Sequence, residues 1–197
     1  MAAPDGKERR NVGNLIISTF TTLDGVQENP QDWSLDFWSD EYGRYARDQL
    51  FAADALIMGR LTYEGFSEIW PTVDDEGTPT AGYASRMNSI RKYVVSRTLD
   101  KVAWTNTELL EGDLVPAVRA LTRQEAGTIL AFGSGGVARA LAGEGLVDEL
   151  RLWVHPVVVG KGESVFANWP ATQLDLVSQT QLPKGVVILS YRPKKTD

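Results

Sequence analysis

Short apolar runs rich in β-branched residues alternate with stretches of helical spacing along most of this chain, and only near its end do such runs follow one another directly. "NLIISTFTTLDG" (14–25), "ALIM" (55–58), "KYVVS" (92–96), "VAWTN" (102–106) and "TILAF" (128–132) read as strands. Between them, "SDEYGRYARDQLFAAD" (39–54) sets Tyr42, Tyr45, Ala46, Leu50 and Ala53 at helical spacing, with Ser39 or Asp40 as cap. "LTYEGFSEIW" (61–70), "YASRMNSI" (83–90) and "DLVPAVRALTRQ" (113–124) read as further helices, as does the segment from Val137 to about Leu141; Pro116 is tolerable in a first turn. A long strand, "VDELRLWVHPVVVG" (147–160), then precedes a hairpin of "LDLVSQ" and "VVILSYR" around "LPKG". Alternation of this kind predicts an α/β fold with a largely parallel sheet and an antiparallel C-terminal edge.

With 197 residues and 43% apolar content, the chain suits one globular domain, over 13–193, behind a disordered lead-in at 1–12. The absence of cysteine excludes disulfides, thiolate metal sites and cysteine nucleophiles, and the one histidine, His155, excludes a multi-histidine metal site, so no metal is expected. A net charge of −6 argues against a nucleic-acid partner. No run approaches the roughly 18 apolar residues of a membrane span, and the opening "MAAPDGKERRN" has no apolar stretch behind its charges. A cytoplasmic protein acting on a small molecule is the expectation.

Ligands of open α/β sheets bind outside the carboxyl ends of the strands. Three such ends carry anion-binding chemistry. In "MGRLT", Gly59 permits a tight turn, Arg60 offers a donor fork and Thr62 falls in the first turn of the next helix. In "VVSRT", Ser96, Arg97 and Thr98 offer two hydroxyls and a guanidinium. In "AFGSGGVAR", Gly133, Gly135 and Gly136 allow close approach to a helix start. An ordinary turn accounts for each of these separately; together they suit a dinucleotide with an extra phosphate, favouring NADPH over NADH. A sugar phosphate or a flavin is the alternative ligand.

"MGRLTYE", "VVSRTL", "AFGSGGVARAL" and "LVDELRLWVHPVVVGKGESVF" resemble the dihydrofolate-reductase-like superfamily, and within it the RibD C-terminal reductase family of riboflavin biosynthesis, from about Asn14 to Arg192. The resemblance implies a three-layer α/β/α fold around a mixed, mostly parallel sheet of about eight strands. It also implies NADPH as cofactor and a homodimer. Carried over, the cofactor residues are Gly59, Arg60, Thr62, Ser96, Arg97, Thr98, Phe132, Gly133, Ser134, Gly135, Gly136 and Val137. "TLDGV" resembles the segment bordering the family's substrate, which makes Asp24 the candidate for substrate contact or proton delivery, although Asp-Gly is also a favoured turn.

Trp33, Trp38 and Tyr42 are candidates for an aromatic wall against a flat heterocycle, with core packing as the other reading. His155 reads as a satisfied structural histidine, and Lys161, in a Gly-Lys-Gly turn, as solvated. Two departures from the riboflavin enzymes stand out. Their basic residue before the second strand is replaced here by the neighbourhood of Leu50 and Phe51, and their glutamate before the paired glycines by that of Phe132 and Ser134. The implied activity is an NADPH-dependent reductase of riboflavin-pathway type, acting on a 5-amino-6-(5-phosphoribosylamino)uracil-like substrate. Dihydrofolate-reductase-like activity and a non-catalytic NADPH sensor are the alternatives.

Overall fold

The computed structural model describes residues 13–124, 127–133 and 135–194; the proposed lead-in at 1–12 and Ser134 lie outside them. The apolar runs become β1 (Asn14–Thr22), β2 (Ala55–Gly59), β3 (Arg91–Val95), β4 (Thr107–Leu110), β5 (Thr128–Phe132), β6 (Glu149–His155), β7 (Leu174–Gln181) and β8 (Val187–Pro193). They form one sheet in the order β4-β3-β2-β5-β1-β6-β8-β7. β4 through β6 are parallel, and β8 runs antiparallel to both β6 and β7.

Strands buried on both faces must be apolar at consecutive positions rather than alternate ones, which is why "LII" and "ALIM" are unbroken. Leu15 and Ile17 of β1, with Ala55 and Ile57 of β2, face the layer of α4 (Leu114–Gln124) and α5 (Gly136–Gly143), where Val118, Leu121, Ala138 and Leu141 meet them. Ile16, Leu56 and Met58 face the opposite layer, with Leu50 of α1 (Asp40–Phe51), Tyr63 of α2 (Arg60–Ile69) and Met87 of α3 (Tyr83–Ser89). Each such Leu, Ile, Val or Met side chain contributes about 1.5–3 kcal/mol by leaving water. The three-layer architecture is as expected. Among the described residues, no helix is long and apolar enough to cross a membrane.

Two element readings need correction. "VAWTN" is not a strand: Trp104 is instead a core side chain whose Nε1–H donates to Asn88 Oδ1 at 2.8 Å, and the pairing strand is the following "TELL". The apolar run reflects burial of an irregular segment, which periodicity cannot distinguish from a short strand. β6 also stops at His155, well short of Gly160, because Pro156 has no N–H to continue the ladder.

Neighbouring positions in the sheet bring the carboxyl ends of β3, β2, β5 and β1 side by side. Everything described next hangs on those ends.

Candidate active site

β2 ends at Gly59, which caps α2 without a side chain and so leaves the first-turn amides of α2 facing outward. A Cβ there would sit 3.3 Å from Val137 Cγ2, so the glycine lets the start of α5 approach the end of β2. Beyond β3, Ser96 Oγ accepts the N–H groups of Thr98 (3.1 Å) and Leu99 (3.0 Å), a hydroxyl-closed turn that presents Arg97 to solvent. Arg97 pairs with no carboxylate among the described residues. Arg60 differs. Its Nη1 donates to both carboxylate oxygens of Glu64, at 3.0 and 2.8 Å. A half-exposed pair of this kind is worth less than about 1 kcal/mol, so an arriving anion can draw Arg60 away.

These groups share one cleft of about 550 Å³, lined by Gly59, Arg60, Thr62, Ser96, Arg97, Thr98, Phe132, Gly133, Gly135, Gly136 and Val137. Every described member of the expected cofactor set is there; Ser134 lies outside the described residues. Gly133 has φ +80°, a conformation that asks for glycine. Gly135, at φ −63° and ψ −163°, does not, and a Cβ on either Gly135 or Gly136 would meet no protein atom within 4 Å. Among the described residues nothing requires those two positions to lack side chains. Their Cβ atoms would stand in open space over the free amides of a helix start, which leaves room for a phosphate there. The cleft therefore fits a phosphate-bearing cofactor.

A second cavity of about 350 Å³ opens beside it, walled by Trp38, Tyr42 and Trp153 on one side and Phe66, Trp70 and Tyr83 on the other. Phe132 and Gly133 line both cavities, so the two meet at the end of β5. Trp38 and Tyr42 thus line one cavity together. Trp33 is not among the residues lining either cavity. Its ring stands edge-on to His155, with centroids 5.2 Å apart, and its Nε1–H donates to the Glu28 carbonyl.

His155 is fully buried among Phe20, Trp33, Phe37 and Tyr42. Nδ1 faces two carbonyls, Trp153 O at 2.9 Å and Thr21 O at 3.4 Å, so it carries the proton. Nε2 is left to accept from the Tyr42 hydroxyl at 3.3 Å. Burial holds the ring below its usual pKa and pushes the Tyr42 hydroxyl up. The neutral histidine thus fixes Tyr42, whose ring forms the cavity wall. Lys161 lies exposed on its turn, apart from both cavities.

Asp24 is likewise outside both cavities. Its carboxylate accepts from Thr22 Oγ1 at 2.5 Å and from the Gly160 amide at 2.8 Å, latching the turn after β1 to the loop after β6. The Thr22 bond first, then that of Gly160, holds the group below the usual carboxylate range. It stays ionised at neutral pH. Asp24→Asn is expected to speed hydrogen exchange at the Gly160 amide while leaving cofactor affinity unchanged. A collapse of turnover with exchange unaltered would restore the catalytic reading.

The side chains that sequence reasoning missed are Phe20, Phe66, Trp70, Tyr83 and Trp153, together with Ser18 and Gln49. Gln49 had a readable signal. It stands four and seven residues from Tyr45 and Tyr42, a polar group on the inward face of an amphipathic helix.

The model of the RibD C-terminal domain matches residues 14–188. The chain belongs to the RibD C-terminal domain family. An uncharacterised Bacillus subtilis (strain 168) protein, YyaP, is 27% identical over 189 residues, covering 94% of this chain and 95% of its own. A Shewanella sp. PV-4 protein provisionally ascribed to riboflavin biosynthesis superposes with a TM-score of 0.70 at 20% identity, over 92% of this chain and 99% of that one. Dihydrofolate reductase from Enterococcus faecalis, solved with NADP(H), gives 0.62 at 14% identity, over 93% and 98%. The fold is dihydrofolate-reductase-like, with β6, β8 and β7 as its antiparallel C-terminal part.

Leu50 is wholly buried in the core, and Phe51 lies under the Arg47 guanidinium, 4.3 Å from its ring centre. Arg47 itself donates to the Ala81 carbonyl. Phe132 stands where the two cavities join.

Proposed function

We propose that this RibD C-terminal domain protein is an NADPH-dependent reductase of a small heterocyclic substrate, with riboflavin-pathway-type pyrimidine reduction as the nearest named chemistry. The observation that carries the reading is the junction at Phe132 and Gly133, where a phosphate-suited cleft opens into an aromatic cavity. When bound, NADPH would supply a hydride. The chain's own part is to hold and orient. The amides at the starts of α2 and α5 and the Gly135–Gly136 bend receive the phosphates, and Arg97 receives the adenosine-side 2′-phosphate. The aromatic walls exclude water from the place where the acceptor ring lies. Among the described lining residues the one carboxylate, Asp75, is spent on the Gly82 and Ala84 amides. That disfavours a dihydrofolate-reductase-like acid in the cavity.

The test is cofactor selectivity. Arg97→Ala is expected to weaken NADPH binding about tenfold, the worth of one charge-assisted contact near 1.5 kcal/mol, with NADH unchanged. Arg60→Ala should weaken it less, because Glu64 already competes for that guanidinium. Equal loss for both cofactors in a binding titration would remove the 2′-phosphate assignment. Consumption of NADPH absorbance across heterocyclic substrates separates a reductase from a sensor that binds without turnover.

A further inference from the structure

Residues 71–82, "PTVDDEGTPTAG", lead from the end of α2 into α3 and supply one side of the aromatic cavity through Val73, Asp75 and Thr80. The rest of that wall stands largely on α1, α2, α3, β1, β5 and β6, elements packed into the core. This strap is held differently. Its backbone bonds are local: Val73 N–H to the Trp70 carbonyl, Thr78 N–H to that of Asp75, and Ala81 N–H to that of Thr78. The Asp75 carboxylate likewise turns back, onto the amides of Gly82 (3.3 Å) and Ala84 (2.9 Å). Among the described residues, the hydrogen bond that ties 71–81 to anything beyond its flanking helices is an exposed one, Arg47 Nε to the Ala81 carbonyl at 3.0 Å. Most strap side chains lie in solvent, so little apolar burial resists its lifting. Thr80 gives the strap its seat. A Cβ on Gly43, inside α1, would stand 2.7 Å from the Thr80 methyl and 3.1 Å from the Trp38 ring. A glycine within a helix is unfavourable, and here it leaves the notch that Thr80 occupies.

In the proposed reading a cofactor fills the neighbouring cleft and stands at Phe132 and Gly133, where the two cavities meet. A second molecule then has to enter from another side. We infer that the strap 71–82 is a lid, lifting off α1 to admit that molecule to the aromatic cavity and closing when Thr80 returns to the Gly43 notch beside Trp38. The inference rests on the reductase reading of the site and adds a moving part to it. Arg47 is the clasp of the closed lid, on an exposed helix face where water replaces its bond at small cost. A wall of packed helices and strands opens only by wider unfolding, whereas a segment with local bonds opens by itself. Closure keeps water from the cavity during hydride transfer.

The chain has no cysteine, so Gly43→Cys together with Thr80→Cys introduces the one pair that can cross-link. The approach of the Thr80 methyl puts the two Cβ atoms within disulfide reach. The probe is 1-aminoanthracene, a neutral dye that brightens in apolar surroundings, mixed in stopped flow with protein saturated with NADP⁺. The oxidised pair, verified by mass, is expected to slow dye association at least about tenfold against the same protein reduced, with NADP⁺ affinity equal in the two. Without NADP⁺ the difference should shrink, because the dye can then enter from the cleft. Equal rates in the two redox forms with NADP⁺ bound would overturn the inference, as would a pair that does not close under oxidation or a reduced protein that takes up no dye. NADP⁺ binding is measured separately by calorimetry. Equal dye rates beside retained NADP⁺ binding leave the cofactor reading standing; a lock that slows the dye in protein that binds no NADP⁺ supports the lid and strikes at the cofactor reading alone. Should the pair fail to fold, Arg47→Ala takes its place: loss of the clasp should speed association about fivefold, and an unchanged rate would overturn the inference.

Discussion

Replacing Gly135 with aspartate is expected to raise the Kd for NADPH more than about 100-fold while the thermal midpoint stays level or rises slightly. The two effects have separate origins at one position. Gly135 is the cap residue of α5, and its extended backbone is open to any L-residue. A Cβ there meets nothing within 4 Å. An aspartate would accept first-turn amides of α5 and offset the helix dipole, a gain of a few tenths of a kcal/mol over glycine. Those same amides are what the cofactor phosphates need in the proposed reading. The carboxylate would occupy them and set like charge against the ligand, forfeiting charge-assisted bonds worth about 3 kcal/mol in all. Gly135→Ala, which adds bulk without charge, should fall between. Calorimetric titration with NADPH beside a melting curve reads both quantities. Unaltered affinity in the aspartate variant would move the phosphates off this bend; a lower midpoint would mean the glycine serves the fold.

That separation of ligand from fold also explains what could be read from residues alone. Gly59, Arg97 and the glycine bend were legible because strand-end chemistry is local: an apolar run, a turn residue and a donor lie adjacent in the chain, and the parallel order of β3, β2 and β5 converges them. The aromatic cavity is nonlocal. Its walls come from β1, α1, the end of α2, the start of α3 and β6, and no spacing in sequence joins Trp38 to Trp70 or Trp153. Trp33 and Trp38 lie five residues apart in one irregular segment, yet one cages His155 and the other faces the cavity. Composition treats them alike. Asp24 is the opposite case. Family resemblance points to it, while its bonds to a turn and a neighbouring loop are visible only in three dimensions. "VAWTN" misled for the reason already given: burial without a ladder leaves the same apolar trace as a strand.

Lys92→Met is expected to lower stability by about 3 kcal/mol, which in a chain of this length is roughly 6–12 °C in thermal midpoint. Lys92 is fully buried, and its ammonium donates to three carbonyls at the end of α3: Met87 at 2.9 Å, Asn88 at 3.0 Å and Ile90 at 2.7 Å. The Trp104 face lies 4.4 Å from Nζ. The lysine therefore closes a helix terminus, and methionine of similar length would fill the space and take these bonds away. pH gives a second handle. Burial first, and the Arg86 charge second, push the Lys92 pKa down from 10.5 to about 8. Between those two values the unfolded chain binds more protons than the folded one, so this group's contribution to stability rises with pH across that window. Below about pH 8 both states are protonated and the cost of burying the charge is present in full. Tyr42 and Tyr83, whose burial raises their pKa values, act in the opposite direction above pH 10, where the unfolded tyrosines ionise first. The informative range is thus pH 8 to 10, and the informative quantity is the difference in urea midpoint between wild type and Lys92→Met, since the tyrosines are common to both. That difference should widen as pH climbs. A gap that narrows instead would mean that the carbonyl triad and the indole face hold the proton on Lys92 more strongly than burial removes it.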